Sequence, residues 1–163
     1  MTCLLSQGLE SVRFELRFGK DIPLVIIGKK KPYFQKVQKF ISANNLGARV
    51  LFLENVLSDH LPAIYSAAEI FIYPSLFEGF GIPIIEALTC KTPVITTKGG
   101  CFAEVGGSDS VYIDPMNYEQ LSEEIKKLLL SSELRKSMAE KGFEYSKKFL
   151  PETIACEIMK LYL

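Results

Sequence analysis

Ile70-Phe71-Ile72-Tyr73-Pro74-Ser75-Leu76-Phe77-Glu78-Gly79-Phe80-Gly81-Ile82-Pro83 runs from four consecutive apolar residues, through a glycine-bearing turn, to a proline placed to open a helix. An unbroken apolar run, rather than an alternating one, is what a strand covered on both faces requires. Proline suits the first helical turn because the N–H it lacks would have no partner there anyway. The same grammar recurs in both directions. Leu24 to Ile27, Val50 to Leu53, Val94 to Thr96 and Val111 to Ile113 are further short apolar runs bounded by turn residues. Together they predict strands of a parallel sheet, buried on both faces by connecting helices.

The intervening segments carry helical signals. Pro32 to Asn45 spaces Phe34, Val37, Phe40 and Ile41 along one side, and Asn45-Leu46-Gly47 offers a left-handed stop. Ser58 to Ala68 begins with a capping candidate and carries Pro62 early, and Pro83 to Leu88 starts on proline. Beyond Ile113 only helices are expected, at Tyr118 to Leu130, Glu133 to Lys148 and Pro151 to Leu163, the last a tail that docks elsewhere. The expectation is an α/β, Rossmann-like, doubly wound parallel sheet forming a single domain over 1–163, with its strand and helix core at 24–113 and C-terminal helices at 118–163.

Composition narrows the function. With 163 residues and 48% hydrophobic content, the chain has length for one real core. Its 19 basic and 19 acidic residues cancel, so no global field draws it to nucleic acid or anionic membrane. Cys3, Cys90, Cys101 and Cys156 are scattered, with no C-x-x-C pair and a single histidine, His60. No metal site can be assembled from them, and a reduced, cytoplasmic chain is expected. Met1 to Gly8 has neither the basic region nor the long apolar stretch of a signal peptide, so no leader or membrane span is expected.

Ligands of open parallel sheets bind beyond the carboxyl ends of the strands. The residues there are small or polar: Gly28-Lys29-Lys30-Lys31, Glu54-Asn55, the Pro74 to Gly81 turn, and Thr96-Thr97-Lys98-Gly99-Gly100. In the Pro74 to Gly81 turn, Gly79 and Gly81 let backbone approach a ligand, and the helix behind them presents free N–H groups suited to phosphate. Glu78 and Glu86 flank that anion site, and carboxylates accept hydrogen bonds from hydroxyls. The combination suits a ligand with sugar, diphosphate and ribose parts. Plainer readings stand beside this one. Glu86 could be an acid favoured near a helix start, Glu78 an exposed loop acid, and the glycines turn formers only. Lys29 to Lys31 reads as a solvated helix entrance, and His60 as a surface residue. Phe71, Tyr73, Phe77 and Phe80 read as core and turn packing, with Phe80 the one that could also meet a ligand.

Glu78-Gly79-Phe80-Gly81-Ile82-Pro83-Ile84-Ile85-Glu86-Ala87-Leu88 resembles the E-x7-E signature of family-four glycosyltransferases of GT-B architecture. Leu61 to Ala68, Ile70 to Ser75, Pro93 to Thr96, and Gly99-Gly100 with Glu104 extend the resemblance, which runs from about Leu24 to about Phe149. It implies the C-terminal, donor-binding domain of an enzyme that transfers a sugar from a UDP- or GDP-linked donor, with retention and without a metal. The acceptor, a carbohydrate or glycoconjugate as in cell-surface polysaccharide assembly, would be bound by a separate N-terminal half. By the same resemblance, Glu78 is the catalytic candidate and accepts from sugar hydroxyls, while Glu86 accepts from the ribose. Backbone amides of Gly79, Phe80, Gly81 and Ile82 hold sugar and diphosphate, Gly28 lies beside the diphosphate path, and Asn55 and Val56 lie against the base. No cofactor is implied beyond the donor substrate.

The family's donor domain opens with a central strand, a glycine loop and a basic pair. Residues 1–18 read instead as a leading amphipathic helix, with Leu4, Leu5, Leu9, Val12 and Leu16 on one side. The sheet is therefore expected to lack its first, central strand. Because a gap would leave backbone groups of both neighbours unpaired, at roughly 1–3 kcal/mol each, the chain is expected to be a fragment of a longer protein, to take the strand from another chain, or to close its sheet differently. The chain is expected to transfer little by itself, with Lys29, Lys30, Lys31 and Lys98 as partial substitutes for the lost charge. A non-catalytic nucleotide-sugar-binding or assembly module and a nucleotide-sugar epimerase remain as alternatives.

Overall fold

In the computed structural model, which describes residues 3–6, 22–29 and 34–162, six strands form one sheet. They are β1 (Cys3–Ser6), β2 (Leu24–Ile27), β3 (Val50–Leu53), β4 (Ile70–Tyr73), β5 (Val94–Thr97) and β6 (Val111–Ile113). Every pairing is parallel and the order is β3-β2-β1-β4-β5-β6. The chain winds outward one way from β1 and the other way from β4, which puts the switch point, and with it the ligand crevice of such folds, between these two strands.

The expected absence of a central strand is overturned. Cys3–Ser6 is that strand, pairing Cys3 with Leu24 on one side and with Ile70 on the other. The leading helix is wrong over these four residues, and the rest of its span, residues 1–2 and 7–18, lies outside the described residues. Helical spacing of leucines lost to a non-local demand. The facing edges of β2 and β4 need backbone partners, and only a strand supplies them.

Between the strands come α1 (Phe34–Ala43), a 3-10 turn (Ser58–His60) leading into α2 (Leu61–Ala67), α3 (Ile82–Thr89) and α4 (Phe102–Gly106). After β6 follow α5 (Tyr118–Leu130), α6 (Ser132–Ser146), a 3-10 turn (Lys147–Phe149) and α7 (Pro151–Met159). Asn45 stops α1 in the left-handed conformation at φ 54, and the Leu46 N–H closes back on the Ile41 carbonyl at 2.9 Å. Ser58 does not cap: no side chain caps either the 3-10 turn or α2. Asn117 and Ser131 do cap α5 and α6, accepting from the N–H groups of Gln120 and Leu134. α7 buries no residue and leaves Ile154, Ile158 and Met159 exposed.

Strand alternation divides the core. From β4, Ile70 and Ile72 join Leu24, Ile26, Ile95 and Ile113 against α5 and α6, through Leu121, Ile125, Leu128 and Met138. Phe71 and Tyr73 point the other way, with Val25 and Val94, against Tyr65, Ile84, Ala87, Leu88, Phe102 and Val105 of α2, α3 and α4. All four β4 residues are at most 1% exposed. Burying such a side chain is worth about 1.5–3 kcal/mol, so β4 is held firmly from both faces. Burial of β3 on both faces is a second expectation that fails. Leu51 is 49% exposed, because β3 is an edge strand with one covered face. α5 and α6 are locked by Arg135, which donates to the Leu128 carbonyl at 2.6 Å and the Leu129 carbonyl at 3.1 Å and pairs with Glu69 at 2.7 Å.

Candidate functional site

Because all strands run parallel, their carboxyl ends share one edge, and the segment from β4 to α3 leaves it next to the switch point. Two threonines at the end of β5 pin this segment: Thr96 donates to the Tyr73 carbonyl at 3.0 Å and Thr97 to the Ser75 carbonyl at 2.7 Å. The Cys101 thiol contacts the Glu78 carbonyl at 3.6 Å from the far side of the next loop. Three bonds from neighbouring strand and helix ends thus hold a turn that has no regular structure of its own.

Gly81 caps α3 with φ 88 and ψ 37, a left-handed conformation that side-chain-bearing residues rarely adopt. It is buried, and a Cβ there would meet Ile84 at 3.5 Å and Phe102 at 3.8 Å. Gly79 is different: it is exposed, and a Cβ on it would meet nothing within 4 Å, so its backbone face is open. The N–H groups of Gly79, Phe80, Gly81 and Ile82 have no acceptor among the described residues. Together with the N-terminal end of α3 they make a patch of donors suited to an anion.

The two glutamates stand at either end of this patch, and each is tied to a buried tyrosine. The Tyr73 hydroxyl donates to Glu78 Oε1 at 2.7 Å, and the Ser75 hydroxyl lies 3.2 Å from the same oxygen. The Tyr65 hydroxyl donates to Glu86 Oε2 at 3.0 Å. Burial, reinforced by the glutamate at its tip, pushes each tyrosine well above the ordinary phenol range. Both therefore stay protonated donors at neutral pH. Burial likewise raises the Cys90 thiol, with a Ser66 hydrogen bond opposing and Glu86 adding. Glu86 is the fifth residue of α3, and no acid occupies the first turn, so its place is not explained by helix-start preference.

Glu78, Gly79, Phe80, Gly81, Ile82 and Glu86 are therefore brought together. Gly28, Asn55 and Val56 lie on the same sheet edge but at the ends of β2 and β3, one and two strands beyond β1. Asn55 turns the chain sharply with φ 55. Lys29 and Lys98 are exposed, whereas Lys30 and Lys31 lie outside the described residues. His60 is exposed, as expected. Phe71 and Tyr73 are core, but Phe77 does not pack, at 86% exposed, and Phe80 rests edge-on against Phe149 with ring centres 6.1 Å apart. Sequence reading missed Tyr65, Ser75, Thr97 and Cys101. The available signal was that a buried tyrosine needs a partner for its hydroxyl. No group of three or more metal-ligating side chains occurs among the described residues, and no helix among them is long and apolar enough to cross a membrane.

Comparison with known proteins gives this geometry a family. Residues 12–145 match the model of glycosyl transferases group 1. Over 144 residues the chain is 32% identical to the uncharacterized glycosyltransferase MJ1178 of Methanocaldococcus jannaschii, covering 87% of this chain and 40% of that protein. Over 140 residues it is 28% identical to O-antigen chain mannosyltransferase B of Escherichia coli, covering 86% and 37%. The chain thus spans about two fifths of the length of these relatives. Among solved structures, the C-terminal domain of a group 1 family protein (LpcC) from Francisella tularensis superposes with a TM-score of 0.79 at 22% identity, covering 90% of this chain and 84% of that one. Anabaena Alr3699/HepE in complex with UDP-glucose gives 0.83 at 19% identity, covering 98% and 48%. The fold is that of a GT-B C-terminal, Rossmann-like domain, and the chain belongs to the glycosyl transferases group 1 family.

Proposed function

We propose that this chain binds a nucleoside-diphosphate sugar and presents it for transfer, with retention, to a carbohydrate or glycoconjugate acceptor. The observation that carries the reading is the donor patch of Gly79 to Ile82 set between two tethered carboxylates, Glu78 and Glu86. The amides and the α3 dipole meet the diphosphate, Glu86 accepts from the ribose hydroxyls, and Glu78 accepts from the sugar hydroxyls. Gly28 borders the diphosphate, and Asn55 and Val56 border the base. Fixing the sugar through Glu78 orients its anomeric carbon, and Glu78 is the catalytic residue in this sense. Retention requires the acceptor oxygen to replace the diphosphate on the same face of the sugar. Backbone donors rather than a metal carry the phosphate charge in this reading.

UDP is supported by the HepE complex with UDP-glucose, and a polysaccharide acceptor by the O-antigen mannosyltransferase among the relatives. Scattered cysteines support a cytoplasmic setting. The acceptor site lies outside this chain, so transfer by the chain alone is not expected.

Calorimetric titration with UDP, GDP and their common sugar conjugates tests the proposal. One nucleotide should bind, and Glu86→Ala should weaken it about 10- to 100-fold, since hydrogen bonds to a charged group contribute about 1.5–3 kcal/mol. A folded chain that binds none of them would refute the reading.

A further inference from the structure

Beneath the site runs a continuous aromatic row. The Tyr65 ring meets Phe71 edge-on at 5.2 Å, Phe71 stacks on Tyr73 at 5.8 Å, and Tyr73 meets Phe102 edge-on at 6.3 Å. Tyr65 comes from α2 and Phe102 from α4, while Phe71 and Tyr73 are alternate residues of β4. All four rings are at most 4% exposed. The ends of the Tyr65–Phe71–Tyr73 segment carry the two hydroxyls that reach Glu86 and Glu78.

We propose that Tyr73 and Tyr65 are positioning residues, through which the aromatic row fixes one oxygen of each glutamate and sets the spacing of the two carboxylates across the donor patch. This deepens the donor-site reading and rests on it. Glu78 Oε1 and Glu86 Oε2 are held from below, so Glu78 Oε2 and Glu86 Oε1 are the oxygens left to accept from a ligand. Among the described residues neither of those two has a partner. A carboxylate on a flexible side chain would otherwise lose rotamer freedom on binding, and a tether removes that cost beforehand. Tyr73 is the stronger of the two groups on Glu78. Its bond is shorter than that of Ser75, whose single hydroxyl proton is shared with the Phe77 carbonyl at 3.3 Å.

Tyr→Phe substitutions keep the rings and remove only the hydroxyls. Each role predicts a different ligand dependence, measured by titrating the whole chain with UDP, GDP and their sugar conjugates. Tyr65→Phe should weaken free nucleoside diphosphate and conjugate alike, by about 10-fold, because Glu86 faces the ribose. Tyr73→Phe should weaken the conjugate by about 10-fold and change the free nucleotide by less than about 2-fold. Loss of both ligands in Tyr73→Phe, or no change in either variant, would overturn the proposal. The tethers are also read without ligand, by carbon-13 relaxation of the glutamate carboxyl groups. Tyr73→Phe should loosen Glu78 alone and Tyr65→Phe Glu86 alone, and carboxyls that stay equally ordered would overturn it. If the wild-type chain binds no nucleotide, the donor-site reading fails, and the relaxation arm still decides the tethers.

Discussion

The two faces of the sheet are built from different chemistry. The face under α5 and the first half of α6 is packed with leucine, isoleucine and methionine. The face under α2, α3 and α4 draws on Tyr65, Phe71, Tyr73 and Phe102, and its two tyrosines end in hydroxyls at the site. Adjacent residues of β4 serve both, with Ile70 and Ile72 on one side and Phe71 and Tyr73 on the other. Aliphatic side chains give volume and stability without direction. Tyrosine adds a rigid body with a polar tip, so the same burial that stabilises the core also aims a donor.

Substitutions on the two faces should therefore separate stability from binding. The largest loss is expected for Ile72→Ala, which empties part of the aliphatic core and should cost about 4 kcal/mol in urea unfolding, with nucleotide affinity of the folded fraction unchanged. A binding defect there would mean that the faces are not independent. Arg135→Met should cost about 3 kcal/mol, because Glu69 loses its partner and the Leu128 and Leu129 carbonyls lose their donor. An unchanged midpoint would show that water replaces the guanidinium. On the other face, Gly107→Ala should cost about 2 kcal/mol: φ is 69 and the new Cβ would lie 2.8 Å from the Tyr145 ring. Since Tyr145 donates to the Glu104 carbonyl at 2.6 Å, movement of that ring would disturb α4. Melting curves with and without nucleotide would detect both effects, and a neutral Gly107→Ala would refute the packing account.

The smallest effect is a pH response confined to the aromatic side. Tyr65 and Tyr73 are held above the ordinary phenol value of 10.0, and Tyr112, beside α4, is pushed up to about 12, in each case first by burial. A group raised on folding stabilises fully below its unfolded pKa and loses that contribution as pH rises through its folded value. Thermal stability should thus fall progressively from about pH 10 to about pH 12, and Tyr65→Phe should make the fall shallower. A flat profile over that range would contradict the burial of these hydroxyls.

What was legible in the sequence was local. Ile70–Tyr73, the glycine turn and the helix behind Pro83 announce themselves through short-range steric rules, and the structure keeps all three. α5 falls on the expected Tyr118–Leu130 because its apolar spacing and cap are contained within it. β1 was illegible for the opposite reason: nothing within Cys3–Ser6 distinguishes a strand from the start of a helix, and its identity comes from Leu24–Ile27 and Ile70–Ile72. The covered and bare sides of β3 depend on its place at the edge, which no local pattern states. At the candidate site, the sequence offered the two glutamates as candidates but not their tethers, since Tyr65 meets Glu86 only after α2 and α3 have packed together.

The central pairing of Cys3 with Ile70 also dictates an order of events when the chain is made. Synthesis runs from the N-terminus, so β1 emerges long before β4, and the middle of the sheet stays open until the switch-point strand has left the ribosome. Contacts of such long sequence separation carry a large loop-closure entropy and slow folding. Until then β1 presents an unpaired backbone edge, which chaperones or other nascent strands would capture. Ile70–Tyr73 is thus the segment whose arrival makes the sheet continuous.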